Sequence, residues 1–287
     1  MLLVAALALA PGLFWLWYFY QKDIYRPEPK RRVLITFLLG MLIVLPVVII
    51  ESAATRVLTG LLGGEDSTVF YFMLFFVVVG PVEEFAKYTI VRHWAARSLY
   101  FDEPVDGFVY AAAVGLGFAT IENMNYMITY GLGIILARWH FSNLGHVFFA
   151  CIPGYMLGRT TIESARRPRV WVGLLTAMLV HGAFNFSISM GHLWFALLLW
   201  LICLLWLRGK LAWAQRVSPF RGRASLLFIR CPKCRHLNRP SNAFCTTCGL
   251  NLTPEWKDLP LLCANCERAN KRGTTYCLQC GALLLER

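Results

Sequence analysis

Long blocks of apolar residues, separated by short polar segments, fill the chain up to about residue 207. A helix of about 20 residues spans the ~30 Å hydrocarbon layer of a bilayer, because each residue rises about 1.5 Å. Seven blocks approach that length: Leu2–Tyr20, Val33–Ile50, Thr68–Val91, Val105–Thr129, Phe141–Arg159, Val170–Met190 and Leu193–Leu207. The pattern predicts an all-α polytopic membrane protein with about seven transmembrane helices. The first block has no Lys or Arg before it and runs on through several aromatic residues, so we expect an uncleaved helix rather than a signal peptide.

Composition and charge agree with a multi-pass protein of the cell membrane. Hydrophobic residues make up 57% of the chain and charged residues only 15%, against a usual charged share of about 25%. The net charge of +12 is unevenly distributed, since segments 21–32, 92–104 and 159–169 are basic whereas the alternate loops hold only Arg56 and Arg138. This bias places the three basic loops and the C-terminal tail in the cytoplasm and the N-terminus outside. The charge is therefore an orientation signal, and no nucleic-acid partner is expected.

A second module follows the last apolar block. Two C-x2-C pairs with ten residues between them are repeated at an offset of 32 residues, comprising Cys231, Cys234, Cys245, Cys248, Cys263, Cys266, Cys277 and Cys280. Two such pairs supply a tetrahedral set of four thiolates, which suits zinc. A reducing cytoplasm argues against disulfides, whereas iron in a rubredoxin-like site is open from the ligands alone. We predict a membrane domain over 1–210, a basic linker over 211–229, and two cytoplasmic zinc ribbons over 230–250 and 262–282, each with one structural zinc ion.

Polar residues interrupt four consecutive apolar blocks. A charged residue at the centre of a membrane helix costs about 2.5–3.5 kcal/mol, so such residues are expected to face other helices or a water-filled cavity. Glu83 and Lys87 are four residues apart and share a helix face, as are His181 and Asn185, whereas Glu84 is rotated about 100° away from Glu83. The residues that we expect to converge in one pocket are Glu83, Glu84, Lys87, Glu122, His146, His181 and Asn185.

Structural alternatives exist for parts of this group. Glu83 and Lys87 could form a purely structural ion pair, and either histidine alone could serve as an interhelical hydrogen-bonding residue. Glu103 and Asp106 lie near the cytoplasmic end of the fourth block, where charge is cheap, and we assign them no chemistry. The functional prediction therefore depends on the group as a whole.

At these residues the chain resembles the PrsW family of intramembrane proteases. Glu83-Glu84-Phe-Ala-Lys87 matches the family's EExxK motif, and Phe118-Ala-Thr-Ile-Glu122-Asn123 resembles its FxxxE motif followed by Asn. His146 resembles the histidine of the third motif, and His181-xxx-Asn185 resembles the fourth. The likeness covers roughly residues 15–190 and leaves the cysteine module outside. The related CAAX prenyl proteases carry EExxxR and FxxxH, so Lys87 and Glu122 depart from that wider pattern.

The resemblance implies hydrolysis of a peptide bond of a membrane-protein substrate, such as an anti-sigma-factor-like regulator. Glu83 would be the general base on water, with Glu84 or Lys87 orienting it, and His181 and Asn185 would stabilise the oxyanion. Glu122 and His146 would complete a water site or, with His181, hold a catalytic metal, because two His and a carboxylate form a familiar zinc set.

Two other function classes are compatible with the pattern. A membrane scaffold would present its zinc ribbons to a cytoplasmic protein partner, and its buried charges would form saturated pairs. A proton-linked transporter would use buried Glu, Lys and His as a relay, but such carriers usually show two related halves and the apolar blocks show no internal repeat.

Overall fold

The computed structural model describes residues 1–65, 67–162, 167–220, 227–238, 242–252, 261–263 and 268–270. The chain divides into two compact units, Met1–Ser218 and Pro219–Arg287. Helices make up the first unit, and short antiparallel strands make up the described part of the second.

The helices of the first unit follow the apolar blocks of the sequence. They are α1 (Leu2–Tyr20), α2 (Lys30–Leu42), α3 (Val44–Leu62), α4 (Thr68–Met73), α5 (Gly80–Ile90), α6 (Asp106–Tyr130), α7 (Ile135–Arg138), α8 (Phe141–Arg159), α9 (Arg167–Ser189) and α10 (Leu193–Val217). Among the described residues, five helical segments are long and apolar enough to cross a membrane: Leu2–Tyr20, Lys30–Leu62, Thr68–Ala95, Arg169–Ser189 and Leu193–Val217. The prediction of a mostly helical membrane protein is confirmed.

Two further helices, α6 and α8, form the centre of the unit. Residues 106–120 of α6 and 143–155 of α8 are all buried. Glycines allow the backbones to approach closely, because a Cβ atom at Gly117 would overlap the carbonyl of Phe37 in α2, and one at Gly107 would overlap that of Gly154 in α8. The elements that carry Glu122 and His146 are therefore held directly against each other.

The second apolar block is longer than predicted and is broken. The expected helix Val33–Ile50 is instead α2 and α3, separated at Ile43, and α3 continues to Leu62. Pro46 lies in the first turn of α3, where its missing N–H leaves no helical hydrogen bond unmade. The extension places Glu51 inside a helix rather than in a loop.

The third block is one helical segment whose winding changes twice. A π-helical stretch, Leu74–Val79, precedes α5, and a second one, Val91–Ala95, follows it. Pro81 lacks the N–H that would continue a regular ladder through this point, and wide π turns accommodate such interruptions. Gly80 packs against the backbone of α9 at Met178, so α5 starts in close contact with the helix that carries His181.

The second unit contains a small sheet. Its strands are β1 (Leu227–Arg230), β2 (Leu237–Asn238), β3 (Leu261–Cys263) and β4 (Ala269–Asn270), in the order β2-β1-β3-β4. All three pairings are antiparallel, with Ile229 opposite Asn238 and Phe228 opposite Leu262. The sheet joins residues of both cysteine repeats.

Candidate active site and metal-binding cysteines

The Lys87 ammonium is the hub of the buried polar network. Its Nζ donates to Glu83 Oε2 at 2.9 Å, to Glu84 Oε1 at 2.8 Å and to His146 Nδ1 at 2.9 Å. An ammonium has three hydrogens, so these contacts use all of them. The two carboxylates reach the same cation although they differ in direction, because Lys87 lies four residues after Glu83 and three after Glu84. The side chain of Lys87 is only 1% exposed.

His146 links this hub to Glu122. Since His146 Nδ1 accepts from Lys87, the ring proton of a neutral imidazole lies on Nε2, which is 2.7 Å from Glu122 Oε2. The same oxygen of Glu122 accepts from Arg138 Nη2 at 2.6 Å. The FxxxE-type glutamate is therefore held between an imidazole N–H and a guanidinium.

His181 extends the hub on the other side. Its Nδ1 lies 2.8 Å from Glu84 Oε1, and a carboxylate accepts, so Nδ1 carries the proton. Its Nε2 then accepts from Asn185 Nδ2 at 3.1 Å. The Phe149 ring stacks on the His181 ring with centroids 4.7 Å apart, which fixes the plane of the imidazole. All seven predicted site residues thus belong to one connected network.

A cavity of about 590 Å³ opens onto part of this network. Glu122, His146, His181 and Asn185 line it. Most of the remaining wall is apolar, with Phe75, Phe141, Phe184 and Leu197 among the lining residues. The cavity therefore combines convergent polar groups with a lining suited to an apolar chain segment.

Glu83, Glu84 and His181 form a set that could hold a metal ion, because one potential ligand atom of each lies within 4.8 Å of the others. Glu84 Oε2 is buried and accepts no hydrogen bond from the described residues. Two carboxylates and an imidazole match a divalent metal in donor type and spacing, and such an ion would take the place of the Lys87 ammonium and of the His181 Nδ1 proton. In this geometry His181 is grouped with Glu83 and Glu84, whereas Glu122 and His146 pair with each other.

Arg138 and Glu51 belong to the site although the sequence analysis gave them no role there. Arg138 also donates from Nε to Asn123 Oδ1 at 2.6 Å and from Nη2 to Ser142 Oγ at 2.9 Å. Glu51 Oε1 is buried without a hydrogen-bond partner among the described residues, and its charge interacts with Glu83, Glu122 and Lys87. The available signal for Arg138 was that it is one of only two basic residues in the alternate loops. Glu51 was missed because the second apolar block was predicted to end at Ile50, so that Glu51 was assigned to a loop.

The first cysteine repeat forms a compact cluster. Potential ligand atoms of Cys231, Cys234, Cys245 and Cys248 lie within 4.8 Å of one another, with Sγ–Sγ distances of 3.6 Å (Cys231–Cys248) and 3.5 Å (Cys234–Cys245). Four thiolates at Zn–S distances of about 2.3 Å stand about 3.8 Å apart in a tetrahedron, so the cluster fits zinc.

Two matching turns build that cluster. The amide of the residue after each pair, Arg235 or Gly249, donates to the carbonyl of the pair's first cysteine, at 2.8 and 2.9 Å. Both residues have left-handed φ angles, of 60° and 68°, a conformation that glycine at position 249 adopts without Cβ strain. Cys263 of the second repeat is described, whereas Cys266, Cys277 and Cys280 lie outside the described residues.

Comparison with known proteins identifies both units. The model of the PrsW family of intramembrane metalloproteases matches residues 28–207, and the model of the double zinc ribbon matches residues 231–281. Protease PrsW of Geobacillus kaustophilus (strain HTA426) is 32% identical over 224 residues, which cover 75% of this chain and 96% of that protein. Protease PrsW of Bacillus subtilis (strain 168) is 33% identical over 211 residues, covering 73% of this chain and 93% of that protein.

No solved structure matches the chain. The resemblance that the four motifs indicated is confirmed by a family match over 180 residues that includes every residue of the Lys87 network, and by relatives that are aligned over 96% and 93% of their own length. A C-terminal double zinc ribbon follows the matched region. The chain therefore belongs to the PrsW family of intramembrane proteases.

Proposed function

We propose that this protease hydrolyses a peptide bond of a membrane-protein substrate at the network centred on Lys87. The proposal rests on one observation: the cavity is lined by residues of this network. Glu122, His146, His181 and Asn185 line that cavity, and His146 is also bonded to the hub that holds Glu83 and Glu84. A substrate segment in the cavity would meet these groups away from bulk water.

Glu83 is the general base in this proposal. Lys87 contacts only one of its two carboxylate oxygens among the described residues, which leaves Oε1 to accept a proton from water. The water oxygen bonds to the peptide carbonyl carbon, and the proton moves to Glu83. When the C–N bond breaks, Glu83 returns that proton to the leaving amine, so the products are a carboxyl group and an amine.

Asn185 stabilises the oxyanion. In the described network His181 Nε2 is an acceptor, so of His181 and Asn185 it is the Asn185 amide that can donate a hydrogen bond into the cavity. One of its N–H groups is held by His181, and the other is available to the carbonyl oxygen as negative charge develops there. His181 then acts by positioning Asn185, and Glu84 positions His181.

Glu122 and His146 complete the site. Glu122 fixes the tautomer of His146, whose Nδ1 in turn keeps the Lys87 ammonium beside Glu83. As an alternative to general-base catalysis by Glu83, a divalent metal held by Glu83, Glu84 and His181 would polarise the substrate carbonyl and lower the pKa of a bound water.

The proposed setting is a seven-helix arrangement in which α6 and α8 join the five apolar spans. The positive-inside bias supports an external N-terminus and cytoplasmic zinc ribbons. The apolar cavity wall supports a substrate that is itself membrane-spanning, and a single-span regulator of the anti-sigma-factor type is the substrate class that we propose.

A substitution that keeps the size of Glu83 tests the assignment. We expect Glu83→Gln to lower kcat for cleavage of a single-span model substrate in proteoliposomes by about 10²- to 10⁴-fold, the usual contribution of general-base catalysis. Glu65→Gln removes an exposed carboxylate in the loop between α3 and α4, and this variant should cleave at the wild-type rate. Wild-type kcat in the Glu83→Gln protein would remove Glu83 from the mechanism.

A structural role for the network is the second candidate, because all three hydrogens of Lys87 are already bonded. A purely structural network would make Glu83→Gln lower thermal stability while leaving kcat per folded molecule unchanged. Measuring kcat and the unfolding midpoint on the same preparation separates these two results.

A further inference from the structure

A second buried acidic cluster lies away from the Lys87 network. Asp23 belongs to the loop between α1 and α2, Glu103 precedes α6, and Asp106 is the first residue of α6. One potential ligand oxygen of each lies within 4.8 Å of the others. The three residues are 3%, 0% and 0% exposed. Three carboxylates so close together and so deeply buried repel one another unless positive charge is added.

Two oxygen atoms in and beside this cluster accept no hydrogen bond from an amide or a hydroxyl group of the described residues, and the carboxyl groups contact one another, Asp23 against Glu103 and Glu28 against Asp106. Asp106 Oδ2 accepts from the amides of Asp102 at 2.7 Å and Glu103 at 2.8 Å, but Asp106 Oδ1 is buried and accepts none among the described residues. Glu28, only 2% exposed, accepts from the Tyr110 hydroxyl through Oε2 at 2.5 Å, whereas its Oε1 is likewise buried and unbonded. Buried acceptors without donors are rare in proteins, and an unseen ion is one of the few reasons for them.

Nearby basic side chains are directed to other partners. The Arg26 guanidinium is nearly half exposed and pairs with Asp102. Arg32 stacks over the Trp94 ring at 4.9 Å and donates to the Trp94 carbonyl at 3.3 Å, and it also interacts with the Tyr110 hydroxyl. The Ser218 hydroxyl lies beside Glu103. Two guanidinium groups thus accompany five carboxyl groups, so acidic groups outnumber basic groups in this region.

We propose that Asp23, Glu103 and Asp106 bind a hard divalent cation of the Mg²⁺ or Ca²⁺ class. Carboxylate oxygens are the ligands these ions prefer, and the absence of His and Cys from the three ligands disfavours zinc. The ion ties the loop after α1 to the start of α6, the helix that carries Glu122. It is a structural site, and it is independent of the mechanism proposed for the Lys87 network.

The experiment uses the full-length protein, purified in detergent without added divalent ions. MgCl2 or CaCl2 is titrated at constant ionic strength while the unfolding midpoint is followed by tryptophan fluorescence. We expect a saturable rise of about 3 °C or more in the wild type and in Glu65→Gln, and at least a tenfold weaker response in Asp106→Asn and Glu103→Gln. Zinc content is measured in each protein, so that a change in the ribbons is not mistaken for this site.

A direct binding readout covers the case in which the variants fold poorly. Tb³⁺ takes the place of Ca²⁺ at oxygen sites, and we expect Tyr110, whose hydroxyl donates to Glu28 beside the cluster, to sensitise its luminescence. Saturable luminescence of the wild-type protein, displaced by Ca²⁺ or Mg²⁺, is the expected result. A Tb³⁺ signal that neither ion displaces, or equal midpoint shifts in the wild type and Asp106→Asn, would overturn the proposal.

Either of these overturning results would mean that the carboxyl groups of the cluster share protons and bind no cation. Burial, the largest influence, raises the pKa of Glu28 to about 7 and that of Glu103 to about 8. Such groups retain protons near neutral pH and need no cation.

Discussion

Lys87 balances two buried carboxylates, so it controls stability as well as chemistry. Replacing one member of a buried ion pair costs about 3–5 kcal/mol, because the partner's charge is left unpaired. We expect Lys87→Met to lower the unfolding free energy by about that amount, measured by denaturant titration in mixed micelles. Combining Lys87→Met with Glu84→Gln removes one of the two unpaired carboxylate charges and should restore part of the lost unfolding free energy. Equal stability of Lys87→Met and the wild type would show that the network is not charged as described.

Arg138 tests whether the rim of the cavity contributes to the reaction. Its guanidinium contacts Glu122, Asn123 and Ser142 from the short helix α7, which lies outside the central helices. We expect Arg138→Ala to lower kcat/KM about 10- to 100-fold, as is typical for groups that orient a reacting residue, with little change in the unfolding midpoint. Arg56→Ala is the matched control, because Arg56 is exposed and its Nε donates to the Ser52 carbonyl of its own helix. The same fall in both variants would exclude a specific role for Arg138.

The site residues that could be predicted from the sequence are polar residues within apolar blocks, where a membrane helix rarely tolerates them. Glu83, Lys87, His146 and His181 interrupt long apolar blocks, and their cost in a bilayer already argued for a common pocket. Arg138 was read as an orientation signal because it lies outside those blocks. The bonds that set the tautomers of the two histidines depend on how four helices meet, and residue spacing within single helices does not contain that information.

The contact between α2 and α6 is the element-scale feature that most directly supports the site. A Cβ atom on Gly117 would overlap the Phe37 carbonyl, so the helices must move apart if one is added. We expect Gly117→Ala to lower the unfolding free energy by about 1–3 kcal/mol. Cleavage should fall too, because Phe118 is the next residue of α6 and Glu122 lies less than two turns further along the same helix.

Gly60 provides the control for this substitution. It lies in α3, and nothing is found within 4 Å of a Cβ atom built there. Gly60→Ala should leave stability unchanged or raise it by up to about 1 kcal/mol, since alanine is the better helix former. If Gly117→Ala and Gly60→Ala have the same effect on the unfolding midpoint, Gly117 is not required for close packing of α2 against α6.

The lengths of the apolar blocks predicted which segments are helical, but they did not predict where the helices end, break or change their winding. The block from Val33 was expected to end at Ile50, whereas α3 reaches Leu62 through Glu51 and Arg56. An apolar count ends at the first charge, although a helix continues as long as its backbone bonds are made. The π-helical stretch before α5 likewise depends on Pro81 and on the close approach of α9 at Gly80, which is a tertiary effect.

At the scale of the whole molecule, the zinc-ribbon unit has little apolar core to hold it together. Among its described residues the buried side chains are mainly Cys231, Cys245, Cys263 and Leu252, with Asn238 donating to Cys245 Sγ at 3.5 Å. Metal binding, worth about 10–16 kcal/mol in zinc-finger peptides, therefore supplies most of the folding free energy of this unit. Removing one ligand should release the ion and unfold its half.

The number of ions per chain follows from the repeat and can be counted. We expect Cys231→Ser and Cys277→Ser each to remove about one zinc per full-length chain by mass spectrometry of the metal content, because each breaks one four-thiolate set. Cys203→Ser, which alters a cysteine of α10, should remove none. If Cys231→Ser keeps its full complement, the first cluster is not a zinc site. The doubly substituted protein then tests the membrane site. Metal that it retains, and that both His181→Ala and Glu84→Gln remove, is held by Glu83, Glu84 and His181, whereas loss in His181→Ala and Glu122→Gln assigns it to Glu122, His146 and His181. If the double substitution leaves no metal while cleavage persists, water is activated by the Glu83 carboxylate alone.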